Sequence, residues 1–409
     1  MGDKKVNKLL DKLKLKDFKL NSLLDVTTAI NENYSTSKLL QIYEFILRDQ
    51  LGITKLALFS KGSEWECLLK YNVKKASSID VDEDLIHIKE ITVIESSSKN
   101  TLNVFDVVIP VYHKEKPLAY LLIGDLNEDA IKMSPTIKHM PFIQTLTNII
   151  MVAIENKRLA NESIQQEVVK KELEVAAELQ KLLFPDDLPT DFRVNVAAQY
   201  TALQLVGGDY YDYIVLNEDE VIICMADVSG KGIGAAMLMS NFQAHVKAIV
   251  NYTDLSLTNL IKKLNKRVME AAQGEKFITF FIARYNFKTR KLNYINAGHN
   301  HPLLATRNKF ELLGTGCTGL GMFDVIPSIS EGEVDVPSNA TLILYTDGLV
   351  EIENDSGEAF ETDNVYKILH DNYNVSMNKF NNIIFDNLET FKESQPFVDD
   401  TAILSCRFY

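Results

Sequence analysis

Acidic residues at the ends of apolar runs are the chemically suggestive feature of this chain. Asp209 lies in Val206-Gly207-Gly208-Asp209-Tyr210-Tyr211-Asp212, and Asp227 closes the run VIICMA ahead of Val228-Ser229-Gly230-Lys231-Gly232. Asp347 closes TLILYT and precedes Gly348, while Asp399 and Asp400 open TAILSCRF. A carboxylate at the mouth of an apolar strand is costly to bury unless something neutralises it, and a neighbouring glycine lets backbone or ligand come close. Several carboxylates converging on one end of a sheet would repel each other. A divalent cation removes that penalty, and all-oxygen ligation selects magnesium or manganese over zinc. Two such ions held by shared carboxylates form the clamp used for in-line attack on phosphorus by a metal-activated water. One such aspartate alone reads as a turn or cap residue; four such positions in one domain favour the metal reading.

Other candidates are weaker. His299 and His301 in NAGHNHP form a His-x-His with no further His or Cys ligands nearby, so a structural role is expected. The glycine-rich stretch Gly314 to Gly321 (GTGCTGLG) has no strand leading directly into a following helix, which argues against a nucleotide loop and for a flexible flap near the site. Cys67, Cys224, Cys317 and Cys406 are far apart and form no CxxC pair, which argues against a zinc knuckle or a disulfide framework. Trp65, the sole tryptophan, reads as core packing ahead of a pocket lining.

The elements that must position these residues follow from patterning. Between about Asp191 and Tyr409, the strand-like runs YDYIVLN, EVIICMADV, FITFFIARYNF, KLNYINAGH, TLILYTDGL and TAILSCRF alternate with helical stretches. Those stretches run from Gly234 to Ile249, Leu255 to Ala272 and Val365 to Phe391, so a sheet core covered by helices is expected. A single long helix is predicted upstream, from about Pro141 through Phe184: Pro and Gly are absent between Asn156 and Leu183, and Pro185 ends it. Val168, Val175 and Leu182 recur every seven residues, flanked by Leu173, Ala176 and Leu179; the stripe suits a two-helix seam, although Lys171 and Glu172 interrupt it, and a helix docking on the catalytic domain would show the same stripe. Before it, helical patterning from Leu20 to about Leu51 breaks at Asn33–Ser37. Two hairpins follow, KLALFS/EWECLLKYN across Lys61-Gly62-Ser63 and VFDVVIPVYH/PLAYLLIGDL across Lys114-Glu115-Lys116.

Composition bounds the rest. At 409 residues the chain has room for more than one domain. A formal charge of -13 opposes general nucleic-acid binding. The N-terminus lacks the apolar core of a signal peptide, and FIQTLTNIIMVAI, the most apolar stretch, is interrupted by Gln, Thr and Asn. No membrane insertion and a cytoplasmic location are therefore expected.

Two family resemblances attach to these residues. The late hairpin IPVYHKEKPLAYLLIGD with its long exit helix resembles a GAF domain over roughly residues 20–155, although the Asn-Lys-Phe-Asp-Glu signature of cyclic-nucleotide-binding members is absent. The ordered motifs LQKLLFP, VGGDYYDY, MADVSGKGIGAAMLMS, INAGHNHPLL, LILYTDGLVEIEN and DDTAIL resemble the SpoIIE/RsbU-like branch of PPM-type protein phosphatases over about residues 176–409. The resemblance implies an α+β chain: a helical extension at 1–19, a GAF-like α/β sensor and dimerisation domain at 20–155, a linker helix at 156–185 and a PPM-type α-β-β-α sandwich at 186–409. It implies a binuclear Mn2+ or Mg2+ site, with Asp227 bridging both ions. Asp347 and Asp399 match the ligands of one ion, and Asp209 with the Val228 carbonyl those of the other; Asp227 and Asp347 match catalytic positions. Asp400 is the fallback for Asp399. The implied reaction removes phosphate from phosphoserine or phosphothreonine on a STAS-domain anti-anti-sigma-like protein. A regulatory protein or small ligand at the GAF-like domain, and a homodimer, are implied partners. Two departures from eukaryotic members stand out: Asp227-Val228-Ser229 replaces their Asp-Gly-His, and their phosphate-gripping arginine has no match. The rival readings are a catalytically silent scaffold of the same fold and a binuclear phosphohydrolase of small phosphoesters.

Overall fold

The computed structural model describes all residues except 1, 63, 74–78, 95–100, 114, 125–134 and 253–254. The chain divides into two compact units, Met1–Glu167 and Val168–Tyr409. The first unit begins with helices α1 (Gly2–Asn31) and α2 (Thr36–Phe45), then β1 (Lys55–Lys61), β2 (Trp65–Tyr71), the one-turn helix α3 (Val81–Asp84), β3 (Thr92–Val93), β4 (Val107–His113) and β5 (Lys116–Gly124). The predicted break between the first helices is present: Ser35 caps α2 by accepting from the Lys38 amide. The first helix starts at Gly2, however, far ahead of the predicted Leu20.

The five strands form one sheet in the order β2-β1-β5-β4-β3. Both predicted hairpins form, β1 with β2 and β4 with β5. Of their turn residues, Ser63 and Lys114 lie outside the described residues. Alternation along the strands sends Leu56, Leu58, Ile109 and Leu121 into the core that includes Val26 and Tyr43, and Ala57, Phe59, Val108 and Leu122 into a second cluster with Val81 and Phe105. Trp65 packs on Tyr120 at 5.5 Å between ring centroids and donates its indole N–H to Asp82, at 2.9 Å.

Helix α4 runs from Pro135 to Lys181, 47 residues. It starts earlier than predicted, with Pro141 inside it, and ends in tightened turns where Leu182, Leu183 and Phe184 donate to carbonyls three residues back.

The second unit continues with β6 (Val194–Thr201), β7 (Tyr210–Val215), β8 (Glu220–Val228), α5 (Ile233–Tyr252), α6 (Leu257–Ala272), β9 (Ile278–Asn286) and β10 (Lys291–Ala297). There follow β11 (Leu303–Ala305), β12 (Phe310–Leu312), β13 (Gly316–Cys317), β14 (Gly332–Asp335), β15 (Ala340–Tyr345), α7 (Asp347–Val350), α8 (Glu361–Asp371), α9 (Met377–Phe391) and β16 (Thr401–Phe408). One sheet has the order β13-β10-β9-β8-β7 with β14 on β10; the other has β12-β11-β15-β16-β6. The two pack face to face. Along β16, Ala402, Leu404, Cys406 and Phe408 join the core containing Ile223 and Phe281 of the first sheet. Ile403 faces the opposite way, toward the cluster of Leu369, Phe380 and Ile384 from α8 and α9. Helices α5 and α6 cover the outer face of the first sheet through Met239, Phe242, Ile261 and Leu264. The predicted α-β-β-α sandwich is thus the observed architecture. The single helical stretch expected over Val365–Phe391 is two helices, because Ser376 caps a new one by accepting from Lys379.

Candidate active site

The carboxylates arrive from both sheets. Asp209 immediately precedes β7, and Asp227 is the penultimate residue of β8; Tyr210 pairs with Ala226, so both lie at one end of that sheet. In the other sheet Tyr345 of β15 pairs with Ile403 of β16, which brings Asp347, the first residue of α7, to the same end as Asp399 and Asp400.

Electrostatics show that the two sets meet. Burial, then the charges of Asp347, Asp399 and Asp400, push the Asp227 carboxyl up to about 7. Burial, followed by Asp227 and Asp400, raises Asp209 well above the usual carboxylate range, with the Thr346 hydroxyl opposing. Burial and then Asp399 raise Asp347. All five aspartates therefore belong to one cluster. The cation beside it is Lys231, whose Nζ lies 2.8 Å from Asp399 Oδ2 and also donates to the Val398 carbonyl.

The cluster is built by close backbone approach. A Cβ on Gly208 would lie 3.1 Å from the Val228 carbonyl oxygen, and one on Gly348 2.1 Å from the carbonyl oxygen of Asp400. The turn after Asp227 needs left-handed backbone at Gly230 and Gly232, with φ of +81° and +76°. Asp400 serves this scaffold: its Oδ1 accepts from the Leu203 amide at 2.8 Å and its Oδ2 from the Gly208 amide at 2.7 Å. Asp209, by contrast, is 1% exposed and its Oδ2 has no hydrogen-bond partner. A buried, unpartnered carboxylate oxygen among other carboxylates, beside a main-chain carbonyl, is a donor set suited to a hard divalent cation. Among the described residues no three His, Cys, Asp or Glu side chains stand close enough to hold a metal as they are. Carboxylates without a counter-ion repel one another, and that repulsion opposes a tighter gathering.

Residues 217–409 match the family model for Stage II sporulation protein E. This stretch is a SpoIIE-family domain. Phosphoserine phosphatase RsbU of Bacillus subtilis (strain 168) is 26% identical over 243 residues, covering 59% of this chain and 71% of RsbU. Protein IcfG of Synechocystis is 25% identical over 247 residues, 54% of this chain and 39% of IcfG. The solved SiaA-PP2C domain of Pseudomonas aeruginosa superposes with a TM-score of 0.53 at 19% identity, covering 60% of this chain and 99% of that domain. The second unit thus has the PP2C fold, and the sequence relationship to RsbU makes it a PPM-type protein phosphatase domain.

Within the SpoIIE-family domain, His299 is structural as expected: its Nδ1 lies 2.9 Å from Thr279 Oγ1, and burial lowers it to about 3, leaving the ring neutral. The His301 ring packs over Gly314. The expectation of a flexible flap at Gly314–Gly321 is corrected. Gly316–Cys317 pairs with β10, Ile278 and Leu320 exchange backbone hydrogen bonds at 2.8 Å, and the Gly321 amide donates to Asn265. Its glycines serve close packing: a Cβ on Gly316 would lie 1.8 Å from the Asn296 carbonyl oxygen. The seam expected at Val168, Val175 and Leu182 is exposed at 46%, 57% and 70%; the helix instead turns Leu173, Ala177 and Gln180 inward. Sequence reasoning missed Lys231 and Gln180.

Proposed function

We propose that the second unit hydrolyses phosphoserine or phosphothreonine on a STAS-domain regulatory protein, using two Mn2+ or Mg2+ ions. The observation that carries this reading is the buried aspartate cluster, in which burial and then the neighbouring carboxylates raise Asp227 to about 7 while Asp209 Oδ2 lacks a partner. Asp227, Asp347 and Asp399 would hold one ion, and Asp227, Asp209 and the Val228 carbonyl the other. Such ions neutralise the carboxylates and activate water for in-line attack on phosphorus. Asp400 is occupied by two backbone amides, which supports Asp399 as the ligand of that pair. Lys231 pairs with Asp399 and supplies positive charge beside the cluster. The kinship with a phosphoserine phosphatase supports the substrate class. The first unit and α4 would act as the sensor and its lever, with dimerisation through the same parts.

The deciding experiment is Mn2+-dependent phosphate release from a phosphoserine STAS protein, with Asp227→Asn and Asp347→Asn alongside the wild type. Turnover that needs metal and disappears in both variants supports the enzyme and its site together. Release from a small phosphoester but not from the phosphoprotein would redirect the reading to a small-molecule phosphohydrolase. The lack of a ready-made chelate among the described residues favours, as a second reading, a silent scaffold. That reading would prevail if no metal supported turnover on either substrate.

A further inference from the structure

The end of the second sheet remote from the aspartate cluster holds a buried cation with no carboxylate side chain paired to it among the described residues. Thr341 of β15 pairs with Arg407 of β16, whereas Asp347 and Asp400 stand at the other ends of these two strands. At about 3.3 Å per residue, Arg407 lies roughly 23 Å along the strand from Asp400. Its side chain is 5% exposed and turns toward the segment between α8 and α9. Nε donates to Thr341 Oγ1 at 3.1 Å and Nη1 to the Val375 carbonyl at 2.8 Å, while the guanidinium carbon lies 4.9 Å from the Tyr373 ring centroid. Nη2 is buried without a hydrogen-bond partner. The groups that oppose the effect of burial on this guanidinium are Tyr373 and Tyr409, not a carboxylate side chain. Pinning the α8–α9 segment to β16 accounts for Nε and Nη1. It accounts neither for Nη2 nor for a full charge where a neutral amide could tie the same segment. A buried guanidinium is costly without an anion beside it.

Arg407 forms the floor of a cavity of about 820 Å3, and it is the one buried residue among those that line it. A volume of this order suits a small molecule. Arg307, Ser338, Asn339, Asn374 and Ser376 furnish the walls with a second cation, hydroxyls and amides. No Asp or Glu side chain lines the cavity, although the chain carries 56 acidic residues against 43 basic ones. Ser376 also caps α9, a helix of 15 residues, so the positive end of that helix dipole meets the same wall. The charged side chains and the helix end that meet here therefore share one sign. Donors on several sides suit the oxygens of a phosphate group better than the two of a carboxylate.

We propose that this cavity binds the phosphate group of a small molecule, with Arg407 as the buried anchor and Arg307 and the α9 N-terminus beside it. The site is separate from the aspartate cluster and goes beyond the phosphatase reading. The phosphate arrives either as the free ion or on an aromatic body that Tyr373 and Tyr409 would flank.

The test titrates the full chain, in the presence of a chelator, with orthophosphate, AMP and glutamate at matched ionic strength, read by calorimetry. Without metal the aspartate cluster repels phosphate, so saturable binding reports a site elsewhere. We expect one site per chain for orthophosphate and AMP, weakened about tenfold or more in Arg407→Met, which keeps the stem and removes the guanidinium. Asn374→Asp leaves the buried packing alone and sets a carboxylate on the wall. Affinity there should fall about fivefold in low salt, as for a like charge at contact distance in water. This second variant carries the test if Arg407→Met fails to fold. Tighter binding of AMP than of orthophosphate identifies a phosphomonoester with an aromatic body as the ligand; equal or weaker binding identifies the free ion. Absence of saturable binding to the wild type overturns the proposal. Phosphate affinity within twofold of wild type in Asn374→Asp overturns it too, by putting the ion elsewhere. Glutamate binding as tight as phosphate binding would make the cavity a carboxylate site and overturn the phosphate assignment. None of these outcomes alters the reading of the aspartate cluster, which is tested by phosphate release.

Discussion

Asp227 bears a conflict between stability and function that can be measured. Its carboxyl is pushed up to about 7 by burial and then by Asp347, Asp399 and Asp400. An acid whose folded value exceeds its unfolded value near 3.8 destabilises the fold once it ionises; that cost is absent below the unfolded value and grows as pH rises toward the folded one. In metal-free protein, Asp227→Asn should therefore raise Tm by a few degrees at pH 8 and by much less at pH 5. The same substitution should cut Mn2+-dependent turnover by more than about 100-fold, since even outer-shell changes at metal sites cost about 10–100-fold. Calorimetry at two pH values with a chelator, beside the phosphate-release assay, checks both. A lower Tm at pH 8 would mean that the carboxylate is not strained by its neighbours.

His299 gives the opposite sign. Burial depresses it to about 3, so between that value and the unfolded value near 6.5 only the unfolded chain takes up the proton. Stability contributed by the neutral ring is complete above 6.5 and drains as pH falls toward 3. His299→Gln should flatten the Tm–pH curve between pH 6.5 and 4, and a slope equal to wild type would show that the ring titrates freely in the fold. The acidic cluster was legible in the sequence because each aspartate stands at or near the end of an apolar strand, and Asp209, Asp227 and Asp347 also have a glycine close by. Gln180 was hidden because its partners are main-chain atoms of Gly207, and no residue type announces a backbone partner.

At the scale of elements, strands with uninterrupted apolar runs were readable, whereas β6 was not. Its sequence VNVAAQYT mixes Asn, Ala and Gln into the strand, and pairing with β16 rather than intrinsic preference sets it. The glycine-rich stretch from Gly314 misled for a related reason. Glycine signals either mobility or close approach, and only the neighbouring strand decides. Here Gly316 pairs with Asn296, whose carbonyl oxygen would lie 1.8 Å from an added Cβ. Gly316→Ala should accordingly cost more than about 2 kcal/mol, in the range for forced backbone clashes, read as a lowered denaturant midpoint with unchanged slope. A free flap would tolerate the methyl group.

At the scale of the molecule, the division between the two units falls within the residues of α4, between Glu167 and Val168. Among the described residues no helix is long and apolar enough to cross a membrane. What α4 and the turn that ends it leave open is an outward row, Val168, Val175 and Leu182, at heptad spacing and 46%, 57% and 70% exposed. Its inward row ends on Gln180, which pairs with the Gly207 main chain, so a change on the outward row leaves that contact untouched. A charge placed on the outward row should leave the fold alone and disturb only assembly. Val175→Glu with Leu182→Glu is expected to leave Tm within about a degree, because exposed substitutions away from packed features usually stay within about 0.5 kcal/mol. If α4 pairs with its counterpart in a second copy, sedimentation should shift from dimer toward monomer, and the response of turnover to whatever engages the first unit should weaken at saturating Mn2+. Unchanged mass and unchanged response would mean that the heptad row is ordinary exposed surface.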